Sequence, residues 1–572
     1  DAAPAVFACI DQPDVKAPYA VCVKAPQEWQ VIGNGAAHIA DGGVWHLAQT
    51  QPLSTYFVAL CAGPYHEVTD TWRGELTAHP EGKPAQKLEV PLGIYCRASL
   101  AHALDAERLF TETKQGFDFY HRNFGFPYPF GKYDQIFVPE FNAGAMENAG
   151  CVTIRDEYVF TSQATHYKYE RRADTILHEL AHMWFGDLVT MQWWDDLWLN
   201  ESFATWSAAI SQAEETEYDT AWVTFANVEK SWAYQQDQLP TTHPISTDAS
   251  DIETVEQNFD GITYAKGAAV LKQLVHYVGR DSFYAGARDY FQEHAFAAAT
   301  FDDLLQALKK HTDRDLDAWS QAWLRTWGPD TLTPELHTEG EKIAELAILA
   351  EAEDVCRPHR LTASLFDADL HKYREIDIDL PAGDGTIRTI IDEAAGLPAP
   401  ALLLLNDADH TYAKIRFDET SLDTVEHRLT EIEDELTRAV IWTALWNLTR
   451  DGEMSAIDYV GVVVKHEAYE TNTTLLATAC ANANFAIAHY VAEADREQVR
   501  TDYAEAIWGH LNEAEPASDA QLVLARAAIR ALAATPEESG TARLKALLSG
   551  DIAGLRLDPE IRWSILRVLA AR

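Results

Sequence analysis

The chain has 572 residues, 47% of them hydrophobic, 17 Trp and a formal net charge of −44. That length allows three or four domains with sizeable cores, and the acidic balance excludes a basic face for nucleic acid or an anionic membrane. No run of 18 apolar residues occurs, so no membrane span is expected. The seven Cys (Cys9, Cys22, Cys61, Cys96, Cys151, Cys356 and Cys480) are odd in number and scattered, with no C-x-x-C. This is the usage of a reduced, cytoplasmic chain. Residues 1–97 read as a β domain: V-F-A-C-I, Y-A-V-C-V, W-Q-V-I and S-T-Y-F-V-A-L-C-A-G are short β-rich runs between Pro, Gly and Asn turns. The opening D-A-A-P enters the first run abruptly, and earlier strands are expected to precede it. From residue 98 the apolar spacing turns helical. A turn-rich F-P-Y-P-F-G-K-Y and a strand D-Q-I-F-V-P-E-F then lead to Asn142-Ala143-Gly144-Ala145-Met146-Glu147-Asn148-Ala149-Gly150. Helices follow up to the Gly328-Pro329 boundary. Residues 330–418 read as a small β-sandwich, and residues 419–572 as amphipathic helices that stack into a solenoid. The last helix ends amphipathic and uncapped, so further helices are expected beyond it.

The segment carrying the most chemistry runs from Asp174 to Glu201 and contains His178-Glu179-x-x-His182. Residues four apart share one helix face, so two imidazoles can reach one metal ion while Glu179 stands beside it as a base. Glu201 follows His182 by eighteen residues in L-W-L-N-E-S-F-A and is a plausible third ligand. Two His and one Glu leave one position of a tetrahedral Zn²⁺ open. The alternative is a polar helix face that happens to carry two His. The flanks Ile176, Leu177, Leu180, Ala181, Met183, Trp184 and Phe185 argue against it, because they imply a buried helix on which unpartnered His and Glu are costly. Around Glu147, small residues surround a single carboxylate. An edge strand there could pair with a peptide, with Glu147 meeting its charged end. A β-turn whose acid faces water explains the local sequence equally well.

Taken jointly, these residues resemble the zinc-dependent aminopeptidase N family of gluzincins. Gly144-Ala145-Met146-Glu147-Asn148 is similar to its exopeptidase motif, and His178-Glu179-x-x-His182 with Glu201 to its zinc signature. T-T-H-P-I at 241–245 and F-D-G-I-T-Y-A-K-G-A at 259–268 are similar to further segments. The text around the metal motif looks most like actinobacterial members. The resemblance implies a multidomain α+β chain with a partial N-terminal β domain (1–97), a thermolysin-like catalytic domain (98–329), a β-sandwich (330–418) and a partial helical domain (419–572). It implies one Zn²⁺ on His178, His182 and Glu201, with Glu179 as general base. It assigns peptide contacts to Gly144, Ala145, Met146 and Asn148, the free α-amine to Glu147 and oxyanion stabilisation to Tyr264. Without the family, Tyr264 would read as an ordinary core-edge tyrosine. The implied partners are peptides with a free N-terminus, acted on by a cytoplasmic monomer. The family also places a second amine-binding Gln or Glu just ahead of V-F-A-C-I-D-Q-P-D, before this chain starts, so the expected substrate cleft is incomplete. The competing readings are a zinc endopeptidase or epoxide-hydrolysing relative, and a non-catalytic scaffold of the same fold.

Overall fold

A computed structural model describes residues 3–40, 42–76, 85–247, 249, 254, 259–535 and 537–572. They fall into two compact units. The first unit comprises residues 1–161, 170–221 and 236–327, and the second residues 162–169, 222–235 and 328–572.

The first unit opens with small antiparallel pieces: a sheet ordered Cys22–Lys24, Val44–Leu47, Ala37–Ala40, and a ribbon of Gln30–Gly33 with Leu60–Gly63. The V-F-A-C-I run is not a strand as expected. Ala3–Val6 is a single helical turn, and Val6 and Ile10 are exposed. An apolar run makes a strand only where another strand pairs with it. In S-T-Y-F-V-A-L-C-A-G, Thr55–Phe57 forms a 3₁₀ turn and only Leu60–Gly63 is extended.

A five-stranded mixed sheet follows, ordered Tyr65–Leu76, Gln86–Arg97, Tyr133–Val138, Cys151–Arg155, Ala145–Met146. Gln86–Arg97 runs parallel to Tyr133–Val138, so hydrogen bonds cross residue 97, where the sequence reading ends the β domain. Helices Ala106–Phe124, His166–His182, Leu197–Glu215 and Gly267–Val278 supply the rest of the core around the site. Leu197–Glu215 is buried almost all round, Leu197 through Ala204 without interruption, as its apolar sequence demands.

The second unit contains a four-stranded sheet (Ile387–Ile390, Lys342–Glu351, Asp330–Glu339, Ala413–Ile415) and a three-stranded sheet (Lys372–Leu380, His359–Phe366, Leu402–Leu405). Asp330–Glu339 escapes the sequence pattern because Pro334 interrupts it. Its parallel partner pairs only with residues 330–332, so Pro334 withdraws no N–H from that ladder. Residues 222–235 belong with this unit: Lys230 forms a buried ion pair with Asp409, and the Tyr234 hydroxyl donates to the Ala413 carbonyl at 2.8 Å. From Glu419–Arg428 to Pro559–Ala571 the chain is helical, with ends set by capping side chains at Asp418, Asp434, Ser455, Asn472, Ser518 and Asp558. No helix among the described residues is long and apolar enough to cross a membrane.

Candidate active site

His178 and His182 project from the last turns of helix His166–His182, and Glu201 from the first turns of Leu197–Glu215. The two Nε2 atoms lie 3.0 Å apart, and Glu201 Oε2 is 3.4 Å from one and 3.5 Å from the other. A tetrahedron with bonds of about 2.0–2.1 Å has edges of about 3.3–3.4 Å, so the three donors span one face of a Zn²⁺ coordination shell. Both imidazoles are held from behind. His182 Nδ1 is 3.0 Å from the Phe185 carbonyl, which accepts its proton and leaves Nε2 as the free donor. His178 Nδ1 is 3.3 Å from Thr205 Oγ1. Gly186, with φ +128°, makes the turn that brings the chain back over His182, and a Cβ there would lie 3.2 Å from His182 Nδ1.

Acids crowd this point. Burial alone would lower the pKa of His182, yet Glu147, Glu201 and Glu179 together lift it to about 10. Burial would raise Glu201, but the two imidazoles hold it down at about 2. The field therefore retains positive charge between these side chains, as a cation site requires. Glu179 is buried and Glu179 Oε2 has no hydrogen-bond partner. Its pKa is pushed well up, first by burial and then by Glu147.

The sequence Gly144–Asn148 lies on the sheet's outer strand. Ala145–Met146 pairs antiparallel with Thr153 and Ile154, and the Arg155 amide donates to the Gly144 carbonyl at 3.0 Å. Among the described residues no strand pairs with its other side. A Cβ on Gly144 would meet nothing within 4 Å, so packing inside the chain does not require glycine there. Glu147 is buried; burial and Glu201 raise its pKa, while His182 lowers it. Asn148 braces the turn, its amide donating to Thr153 Oγ1 at 3.1 Å and the Cys151 carbonyl at 3.3 Å.

Tyr264 sits in a π-helical turn, Ile262–Lys266, rather than in the regular helix expected from its sequence. Such turns recur at functional sites. Asp260 caps the turn through the amides of Ile262 and Thr263, and the buried Lys266–Asp237 pair at 2.8 Å anchors its end. Ser202, next to Glu201, donates to the Thr263 carbonyl at 2.6 Å. The Tyr264 ring lies nearly parallel to His178, 6.4 Å between centroids, and its hydroxyl is pushed well up by burial and then by Glu201, Glu147 and Glu179. His178, His182, Glu201, Glu147, Glu179 and Tyr264 thus form one cluster, whose carboxylates perturb one another.

Three groups of this region escape the sequence reading. The Tyr56 hydroxyl is pushed up by burial and then by Glu147, Asp187 and Glu201. Asp187 is fully buried with neither carboxylate oxygen hydrogen-bonded, and Lys16 donates to the carbonyls of Asp187 at 3.1 Å and Leu188 at 3.4 Å. A lone acid in M-W-F-G-D-L-V-T-M was a usable signal for Asp187. Nothing local marks Tyr56 or Lys16.

Comparison with known proteins gives the family of the chain. The "Peptidase family M1 domain" profile matches residues 109–323, which hold Glu147, His178, Glu179, His182, Glu201 and Tyr264 but neither Lys16 nor Tyr56, and the "ERAP1-like C-terminal domain" profile matches 402–572. An "Aminopeptidase N" of Streptomyces lividans is 47% identical over 99% of this chain and 66% of its own length. The chain belongs to peptidase family M1. An "Aminopeptidase N" of Lactobacillus helveticus is 31% identical over 80% of the chain and 52% of its own length. A "Tricorn protease-interacting factor F2" of Thermoplasma volcanium is 28% identical over 79% of the chain and 54% of its own length. This M1 chain therefore spans under two thirds of the relatives it matches.

Proposed function

We propose that this M1 chain is a zinc aminopeptidase that removes the N-terminal residue of peptides. The observation that carries the reading is the one cluster in which three donors at tetrahedral-edge distances, the Glu179 carboxylate with its unpartnered Oε2 and Glu147 meet beside a strand that ends its sheet among the described residues. His178, His182 and Glu201 would hold a single Zn²⁺. When bound, the ion supplies Lewis acidity, polarising a carbonyl and bringing a water's pKa towards about 7.

The chain's own residues do the rest. Gly144 and Ala145 offer the peptide backbone a strand edge, with Met146 beside them and Asn148 keeping the turn rigid. Glu147, among other buried acids, pairs with the α-ammonium and so fixes the count from the amino end. Glu179 takes one proton from the attacking water and returns it to the leaving amine nitrogen. The Tyr264 hydroxyl donates to the carbonyl oxygen as it gains negative charge, a contribution of about 3–4 kcal/mol for such donors. A thermolysin-like catalytic core and a stacked-helix C-terminal domain fit this reading. So does a reducing cytoplasmic setting, since all seven cysteines are free thiols.

The test is cleavage of a peptide with a free N-terminus against its N-acetylated twin, with zinc content measured on the same sample. Cleavage of the free-amine peptide alone, with about one zinc per chain, is the expected result. Equal cleavage of both peptides refutes the aminopeptidase reading, and a folded chain that retains no zinc refutes the metal centre.

A further inference from the structure

We propose that Cys61 and Cys151 are a thiol pair that a peroxide converts reversibly into a disulfide, tying the ribbon of Gln30–Gly33 and Leu60–Gly63 to the strand next to Glu147. Far apart in the chain, the two thiols meet in the fold. Cys61 lies in the ribbon opposite Ile32, and Cys151 opens the strand Cys151–Arg155. Cys151 belongs to a buried apolar cluster with Ile32, Tyr95 and Ile136, and Cys61 packs against that cluster. Asn34 fixes the same juxtaposition through the backbone. Its amide donates to the Ala149 carbonyl at 3.0 Å, and its side-chain oxygen accepts from the Ala59 amide at 2.9 Å. Ala59 and Ala149 each stand two residues ahead of one cysteine, so a single side chain pins both approaches.

The surroundings divide the work between the two sulfurs. Cys61 is partly accessible and Cys151 is buried. The Cys151 thiol holds Cys61 below the usual thiol range, against burial and with help from Lys132, whereas Cys61 and burial push Cys151 well up. The Lys132 ammonium is fixed close by, 2.8 Å from the Gly150 carbonyl. An accessible thiolate beside a second thiol is the arrangement in which the first is oxidised and the second resolves it. The Cys61 thiolate attacks one oxygen of the peroxide, the O–O bond breaks, and hydroxide leaves with the proton that Cys61 had released. The Cys151 sulfur then attacks the sulfenic sulfur of Cys61, the S–O bond breaks, and the hydroxyl leaves as water with the Cys151 proton. The thiol pair loses two electrons and the peroxide is reduced to water. The consequence reaches Glu147 through the backbone. The Cys151 amide donates to the Asn148 carbonyl at 2.8 Å, and the Cys151 carbonyl accepts from the Asn148 side chain at 3.3 Å. Bonded sulfurs lie closer than packed ones, so closing the disulfide draws Cys151 towards the ribbon, and Asn148 and Glu147 with it.

The test treats the full chain, loaded with zinc, with hydrogen peroxide and maps its thiols by alkylation and mass spectrometry. The expected product joins Cys61 to Cys151, consumes two of the seven thiols and reverts with dithiothreitol. In Cys151→Ser, Cys61 should stop at the sulfenic acid and be trapped by dimedone; in Cys61→Ser, Cys151 should stay reduced. Wild-type chains in which Cys61 and Cys151 both stay reduced, or in which either pairs with another cysteine, overturn the proposal. Oxidation of Cys151 in Cys61→Ser overturns the division of roles. The kinetic consequence rests on the aminopeptidase reading. The disulfide should raise KM for a free-amine peptide about tenfold with a smaller change in kcat, because a small misplacement of a binding group is costly. The same treatment of Cys151→Ser should leave KM unchanged. A disulfide that forms without moving KM, or an equal rise in Cys151→Ser, overturns the coupling to Glu147. The thiol map needs no turnover, so its failure and a failure of the aminopeptidase reading are told apart.

Discussion

Replacing Gly267 by Ala tests whether the junction between the Glu201 helix and the Tyr264 turn is as tight as it looks. A Cβ on Gly267 would stand 1.9 Å from Ser202 Oγ and 3.0 Å from Ser202 Cβ. Ordinary contact needs about 3.5 Å, so the two helices would have to part by more than about 1 Å. The other relief is rotation of Ser202, but its hydroxyl is committed to the Thr263 carbonyl at 2.6 Å, and rotation gives up that buried bond. Either route costs about 1–3 kcal/mol. Ser202 follows Glu201 and Thr263 precedes Tyr264, so a shift here moves the proposed metal ligand against the proposed oxyanion donor. A displacement of that size is expected to lower kcat by about tenfold to a hundredfold. Denaturant unfolding and kcat on an amino-acid p-nitroanilide measure the two effects. Ser202→Gly combined with Gly267→Ala moves the methyl to the opposite helix, and should recover most of both losses except about 1 kcal/mol for the missing hydroxyl. Wild-type stability and kcat in Gly267→Ala alone would refute the reasoning.

Four further outcomes are expected. Glu179→Gln should abolish turnover and retain zinc by atomic absorption; loss of the metal would make Glu179 a ligand rather than the base. Thr205→Val removes the partner of His178 Nδ1 and should weaken zinc about tenfold or more in a chelator competition, since partners of this kind tune ligand basicity. Glu147→Gln should lower kcat/KM on free-amine peptides by about tenfold to a hundredfold with zinc retained; unchanged kinetics would end its role as the amine anchor. Burial lifts Glu112, which lines no part of the metal centre, from 4.5 to about 7, against the pull of Arg172 and the Tyr218 hydroxyl. Between those pH values the folded state binds more protons than the unfolded state, so this group's contribution is fully present below pH 4.5 and is lost as pH rises through 7. Glu112→Gln keeps an acceptor for Tyr218 and escapes the loss. Its unfolding free energy relative to wild type should rise by up to about 3 kcal/mol between pH 5 and pH 8, and a flat difference would contradict the shift.

The pairing of the candidate metal donors was legible because helical spacing makes His178 and His182 neighbours whatever surrounds them. The groups behind them were not. Thr205 arrives from the next helix, and the Phe185 partner is a backbone carbonyl that no side-chain pattern reveals. Tyr264 could be found through the family segment, but its π-helical turn could not, because the apolar periodicity of residues 262–278 runs through the turn without a break. The V-F-A-C-I run misled because strand character depends on pairing, which the run does not encode. Residues 222–235 look like one more helix of the catalytic region. Their grouping with the second unit rests on Lys230 and Tyr234 reaching partners about 180 residues away. The same distance hides Lys16, whose acceptors lie 171 and 172 residues on.

Why the loss in Glu147→Gln should be partial follows from the crowding of acids. Glu147, Glu179, Asp187 and Glu201 are all buried and act on one another, and each except Glu201 is pushed towards its neutral form. Glu201 stays ionised because two imidazoles bond it. A cation brought into this cluster is therefore stabilised by the summed field rather than by one partner, and each added positive charge makes it easier for the remaining acids to ionise. In the proposed role Glu147 would supply the direct hydrogen bond to an ammonium, worth a tenfold to hundredfold factor, while Glu179, Asp187 and Glu201 supply a field that its amide replacement leaves in place. Discrimination between a free and an acetylated amino terminus should consequently shrink in Glu147→Gln without vanishing. Complete loss of discrimination would mean that the field is screened and that amine recognition rests on the single carboxylate.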